Sequence, residues 1–306
     1  MNNPLLPPTL DPVAVARWQR VAPLESPWLH EEVARRMLER LQWIRLQPAS
    51  WVHWDALRGG QQAQAQLLRH YPDSICFIVE TQQTHVQTAV KSGEKIPLWR
   101  QPVQWLQMRQ AAAKVQHARP PTGGVDMLWA NMALHVAPAP QALIGQWHQT
   151  LATGGFLMFS CLGPDTLRAL RSLYAAAGWK PPAHELTDMH DWGDMLVQAG
   201  FAEPVMDMER ITLTFDSPER LLLELAGLGR NFHKARFSGL RGRAWKAALL
   251  QTLSRELITP DGRLALEFEI IYGHALKAVP RVPLHPVSLV SEAEMRQLLQ
   301  RKKPLG

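Results

Sequence analysis

The stretch VDMLWANMALHVAPAPQALIGQWHQTLATGGFLMFS, residues 125–160, decides how the chain folds. Its opening VDMLWA, Val125 to Ala130, is strand-like. PQALIGQWHQTL, Pro140 to Leu151, carries helical spacing, and Gly154-Gly155 turns the chain into FLMFS, Phe156 to Ser160. A strand, a helix and a strand in close succession form a parallel βαβ crossover. Upstream, ICFIV (Ile75 to Val79) is uniformly apolar, as a strand buried on both faces must be. A short apolar run at Trp51 to Trp54 leads through Arg58-Gly59-Gly60 into a helix from Gln61 to His70. The spacing of Val33, Met37, Leu38, Leu41 and Ile44 predicts an amphipathic helix over Leu29 to Leu46. Between Ile75–Val79 and Val125, a helix from Gln82 to Lys91 and a short strand near Val103 to Met108 are expected.

Downstream, helices are expected over Asp165 to Ala177, with Asp165 and Thr166 as its cap, and over Thr187 to Ala199, capped by Thr187 or Asp188. Val205 to Phe215 reads as a strand. Leu264 to Ile271 and Tyr272 to Leu276 read as a pair completing the sheet by an antiparallel return. The expected architecture is α/β: a doubly wound, mostly parallel sheet with an antiparallel return strand and a helical insertion at about 218–257. This domain spans 28–280, after an extended N-terminal segment (1–27) and before a basic tail (281–306).

With 306 residues, 46% apolar and 20% charged, the chain can bury a full core, which excludes disordered, collagenous and disulfide-scaffold classes. The net charge of +6 is unevenly placed: residues 230–306 hold 14 basic and 6 acidic side chains. Arg230, Lys234, Arg236, Arg241, Arg243 and Lys246 lie in a segment without an acid until Glu256. That segment is either a solvated helical face or a docking surface for an acidic partner. It carries no pattern of the single-strand or RNA-reading kind, so no nucleic acid is expected. Cys76 and Cys161 sit in apolar runs, as buried thiols of a reducing compartment do, and the expected location is the cytoplasm. The N-terminus has no signal-peptide pattern and no stretch has the length of a membrane span.

Ligands of open parallel sheets bind outside the carboxyl ends of the strands. Those ends carry Asp55, Gly59 and Gly60 after the first strand, Glu80 after the second, and Asn131 followed by His135 after Val125–Ala130. A carboxylate about 20 residues beyond a glycine turn can accept both ribose hydroxyls of a nucleoside, and Glu80 stands at that distance from Gly60. The plainer alternatives are a solvated Glu80, a loop-bridging Asp55, an Asx turn at Asn131 and a packed His135. Asp188, His190 and Asp191 read as capping residues, and no metal site is expected.

Residues 125–174 resemble the fourth- and fifth-strand region of class I S-adenosylmethionine-dependent methyltransferases. The most specific resemblance is to the BioC-like group, the malonyl-acyl-carrier-protein O-methyltransferases of biotin synthesis. It is carried by Asn131-Met132-Ala133-Leu134, Thr153-Gly154-Gly155, Phe159-Ser160, Gly163-Pro164-Asp165-Thr166-Leu167, Asp188-Met189-His190-Asp191, Ala199-Gly200-Phe201 and Leu29-His30-Glu31-Glu32-Val33-Ala34. It extends over about 28–276 and implies a Rossmann-like fold and S-adenosylmethionine as cofactor. It also implies methyl transfer to a malonyl carboxylate, with an acidic acyl carrier protein meeting segment 230–246. On this resemblance Asp55, Gly59, Gly60, Glu80 and Asn131 surround the cofactor, and His135, Arg230 and Arg236 face the substrate. No catalytic residue is assigned, because the acceptor is already anionic at neutral pH.

Three departures stand against the pattern. The first loop reads Asp55-Ala56-Leu57-Arg58-Gly59-Gly60-Gln61 and keeps one glycine of the family's alternating set in either register. No carboxylate lies between Glu94 and Asp126, where the family has an adenine-contacting acid. Val15-Ala16-Arg17-Trp18-Gln19 replaces the family's N-terminal Tyr-Asp stretch. The alternative is therefore a catalytically silent binding or assembly module of the same fold. The two readings divide on whether a hollow persists beside the first two strands or is plugged by Trp54, Leu57 or Arg58.

Overall fold

The computed structural model describes residues 9–81, 115–116, 119–279 and 296. The expected helix Gln82–Lys91, the strand Val103–Met108 and all of the basic tail except Arg296 lie outside these residues. Among the described residues the strands are β1 (Ser50–Trp54), β2 (Ile75–Val79), β3 (Val115–Gln116), β4 (Val125–Ala130), β5 (Leu151–Leu162), β6 (Ala202–Phe215) and β7 (Leu264–Leu276). They form one sheet in the order β3-β2-β1-β4-β5-β7-β6. The pairs from β3 to β5 are parallel, while β7 runs antiparallel to both β5 and β6.

The period-two alternation of side chains divides the core into two layers. Trp51, Met127, Trp129, Phe156 and Met158 face one side of the sheet, where α2 (Trp28–Arg40) brings Leu29, Val33 and Met37 and α4 (Gln61–His70) brings Ala63 and Leu67. Between these helices lies the short α3 (Ala56–Gly59). Val52, Trp54, Leu128, Ala130, Leu157 and Phe159 face the other side. There α5 (Pro140–Thr150) supplies Ile144 and Trp147, and α7 (Met189–Gln198) supplies Trp192 and Leu196. Strands apolar on both faces are what helices on both sides require. Both cysteines are free and buried.

Several expectations need correction. The segment 1–27 is not extended where it is described: α1 (Pro12–Val21) follows Asp11, whose Oδ1 accepts the Val13 N–H at 2.9 Å. An Asp-Pro pair is a helix start, since the carboxylate caps an orphan donor and Pro12 supplies its fixed φ. The helix buries Val15 and Trp18 beside Phe232 in a small separate cluster. Asp165 and Thr166 do not cap a helix. α6 (Arg168–Ala176) starts after Leu167, which has φ 57° and no side-chain cap. Thr166 Oγ1 instead donates to the Glu269 carbonyl at 3.0 Å, and Asp165 pairs with Arg210 at 2.8 Å. Bonds to β6 and β7 take these side chains from the helix. Asp188 does cap α7, accepting the His190 N–H at 2.8 Å.

β7 is one unbroken strand rather than two. The helical insertion consists of α8 (Pro218–Leu228) and α9 (Arg243–Glu256), separated by the basic, irregular residues 229–242.

Candidate functional site

A cavity of about 480 Å³ opens at the carboxyl ends of β1, β2 and β4. Its floor is made by the strand ends: Trp54, Asp55, Gly59, Glu80, Asn131 and Met132. Residues 133–143, from the turn after β4 into α5, form one wall. Trp18, Gln19 and Ala22 of α1 and its C-terminal flank form another, with Leu228 closing the end of α8. A hollow of this size lies in the range of small-molecule sites. Nothing plugs it. Leu57 is buried outside the lining. Trp54 packs edge-on against Trp147 at 6.1 Å, and Arg58 is drawn to the rim by backbone carbonyls.

The loop after β1 is held by side chains that the sequence reading placed around a ligand. Asp55 has φ 49°, and its Oδ1 accepts both the Thr81 N–H and the Thr81 hydroxyl at 2.8 Å. It therefore bridges the ends of β1 and β2 while lining the cavity. Glu80 Oε1 accepts the Leu57 N–H at 2.9 Å, fixing the first turn of α3. Burial and then the neighbouring Asp55 charge push the Glu80 carboxyl up to about 8.

Asn131 is neither an isolated pocket liner nor an Asx turn. Its Nδ2 donates to the carbonyls of His30 (2.8 Å) and Gly59 (2.7 Å), and its Oδ1 accepts from Ser160 Oγ at 2.6 Å. One buried amide thus joins α2, the β1 loop, β4 and β5.

Gly59 lines the cavity, but a Cβ there would meet Trp54 O at 3.3 Å and His53 Nε2 at 3.4 Å, so it is needed for packing under the loop. Gly60 lies outside the lining. Its φ of +113° and a would-be Cβ 3.0 Å from Ala34 Cβ make it the hinge between α3 and α4. His135 lines the cavity. Burial, followed by the proximity of His30 and His184, holds its pKa well below the usual value, so the ring stays neutral.

Neither Arg230 nor Arg236 lines the cavity. Arg236 is paired with Asp11 at 2.6 Å, and exposed Arg230 stacks over the Trp18 ring at 4.5 Å. Sequence reasoning missed α1 as a wall, and Met132 with it. The Asp11-Pro12 start was the available signal for the helix; no local pattern marks Met132.

The cavity brings together two carboxyl groups, of which Glu80 is pushed up to about 8, one arginine, apolar walls and a neutral imidazole, a mix that suits a ligand with both charged and apolar parts. No family model matches the chain. A malonyl-[acyl-carrier protein] O-methyltransferase of Gallionella capsiferriformans is 38% identical over 255 residues, covering 83% of this chain and 86% of that protein. Proteins of the same name from Nitrosospira multiformis (34%, covering 87% and 89%) and Laribacter hongkongensis (34%, covering 88% and 87%) are similar at comparable length. Among solved structures, the YcgJ protein of a Bacillus species has TM-score 0.52 at 10% identity, over 80% of this chain and 99% of its own. A Bacillus halodurans C-125 protein provisionally named a methyltransferase has TM-score 0.50 at 12% identity, over 81% of this chain and all of its own. These two likenesses concern the fold, that of class I methyltransferases. With relatives this similar over most of both chains, the protein belongs to the malonyl-[acyl-carrier protein] O-methyltransferase family.

Proposed function

We propose that the chain transfers the methyl group of S-adenosylmethionine to the free carboxylate of a malonyl thioester borne on an acyl carrier protein, a step of biotin synthesis. The observation that carries the reading is the open cavity with two carboxyl groups, Asp55 and Glu80, at the ends of adjacent strands. The residues present fit the cofactor. Glu80 can bond to a ribose diol, a bound cation would favour the ionised form of its carboxyl, and the cavity has the volume for a nucleoside with an amino-acid arm. The loss of the alternating glycines leaves this hollow open, which counts against a silent scaffold.

When bound, the cofactor would supply an electrophilic methyl group for the acceptor carboxylate, its sulfur keeping the electron pair of the C–S bond, so that no proton would need to move. The protein's task is positioning and exclusion of water. Trp54, Met132 and Leu143 supply apolar lining, and α1 adds Trp18 to the wall. A neutral His135 offers hydrogen bonding without adding a cation beside a sulfonium. No general base is required, because a malonyl carboxylate is ionised at neutral pH.

Arg230, just after α8, stacks on Trp18 of the cavity wall and opens the basic stretch that runs into α9, a charge suited to an acidic carrier protein. Calorimetric titration with S-adenosylmethionine and S-adenosylhomocysteine tests the cofactor. The expected result is saturable binding of both, and absence of heat at millimolar ligand overturns the reading. Mass analysis of malonyl-acyl carrier protein after incubation with S-adenosylmethionine should then show one added methyl group on the malonyl unit.

A further inference from the structure

Arg58 stands in the first loop and lines the cavity. Its guanidinium donates to the carbonyls of Pro23 (2.9 Å), Gly227 (3.0 Å) and Leu228 (3.4 Å), and lies 5.6 Å from the Trp18 ring. All three acceptors are uncharged. The two at the C-terminal end of α8 offer about half a negative charge through the helix dipole. Among the described residues no carboxylate pairs with Arg58, and burial alone moves its pKa, downward. Asp55 and Glu80 line the same cavity but are committed to Thr81 and Leu57.

A guanidinium has five N–H donors, so three carbonyls do not exhaust it. Carbonyl acceptors alone would be served by a neutral amide, without the cost of desolvating a charge that the helix dipole offsets only in part. The backbone around it is also fixed. The Arg58 carbonyl accepts from Ser26 Oγ at 3.1 Å and from His30 Nδ1 at 2.8 Å, so the side chain projects from an immobile base.

We infer that Arg58 is the carboxylate receptor of the cavity, placed to take a carboxylate from a bound ligand in the forked geometry that guanidinium groups favour. The inference rests on the methyltransferase reading, which brings two carboxylates to the site: the one on the amino-acid arm of the cofactor and the one on the malonyl acceptor. Either places a negative charge against Arg58 while Asp55 and Glu80 keep the cationic centre on the floor.

The experiment compares ligands with and without the carboxylate on wild-type protein, Arg58→Gln and Arg58→Lys. S-adenosylhomocysteine is paired with 5′-methylthioadenosine, and malonyl-pantetheine with acetyl-pantetheine, each by calorimetry. If Arg58 holds the cofactor arm, Arg58→Gln weakens S-adenosylhomocysteine about tenfold to a hundredfold and leaves 5′-methylthioadenosine unchanged. If it holds the acceptor, the loss falls on malonyl-pantetheine alone. Arg58→Lys, with charge but no fork, should recover part of the loss.

A second measurement needs no variant. Dicarbonyl modification of arginine, mapped to Arg58 in wild-type protein, should be slowed by the carboxylate-bearing member of one pair and not by its partner. Equal effects of the variants on both members of each pair, or no protection by either carboxylate, would overturn the role of Arg58. Wild-type protein that binds neither S-adenosylhomocysteine nor 5′-methylthioadenosine would instead overturn the methyltransferase reading, and this inference with it.

Discussion

Glu80 shows how one residue's environment sets both stability and ligand preference. Its carboxyl rises from 4.5 to about 8 because it is buried and faces the Asp55 charge. Between these values the native state keeps a proton that the unfolded chain has released, so Glu80 makes stability fall as pH climbs through that window. Each tenfold loss of acidity costs the ionised native form about 1.4 kcal/mol. Glu80→Gln keeps an oxygen for the Leu57 N–H and removes the titration. Its stability relative to wild type in urea denaturation should improve between pH 5 and pH 8 by about 1 kcal/mol or more. A difference independent of pH would show that Glu80 does not titrate in this window. A cation bound on the floor would favour the ionised carboxylate, so the same residue that weakens the free protein at pH 8 prepares the site for a sulfonium.

At the scale of elements, the strand ends are aligned by packing that begins far from the cavity. β5 lies between β4 and β7, and its Phe159 sits over Gly273 of β7. A Cβ on Gly273 would come within 2.0 Å of Phe159 Cε1, while the Phe159 ring is itself against Trp147 at 6.1 Å. Gly273→Ala must therefore displace a fully buried ring into a filled layer, at a cost of about 1–3 kcal/mol, measurable by chemical denaturation. Ser160 follows Phe159 and bonds to Asn131, so the variant should also weaken cofactor affinity; full stability would refute the packing argument.

These central strands were legible because ICFIV, VDMLWA and FLMFS are apolar on both faces, a pattern that solvent-exposed segments do not carry. The cavity rim was legible only as positions, not as bonds. Asp55, Glu80 and Asn131 were placed correctly at the strand ends, yet their links to Thr81, Leu57, His30 and Ser160 arise from residues 23 to 101 positions apart, which no local period encodes. The helix α1 escaped notice because the Pro-rich stretch before it and its short apolar face outweighed a single Asp-Pro cap.

Over the whole molecule, charge is segregated in a way that the cavity does not use. Segment 230–306 holds an excess of 8 positive charges, whereas residues 1–229 carry a net −2. The candidate docking cations have different fates in the fold. Arg236 is neutralised by Asp11, and Arg241 lies between the rings of Phe237 (4.3 Å) and Trp245 (4.0 Å). Arg243 and Lys246 are exposed near the start of α9.

Such exposed charges steer a macromolecular partner over a screening length of about 10 Å at 0.1 M salt, but do not act on a small neutral carrier. Arg243→Glu combined with Lys246→Glu should raise KM for malonyl-acyl carrier protein by about tenfold at low salt, with kcat unchanged. The difference should shrink as salt rises, and KM for malonyl-pantetheine should stay at the wild-type value. An equal loss with both substrates would place the effect in the fold or the cavity. No loss with either would return these side chains to the role of a solvated helical face and leave the carrier to dock elsewhere.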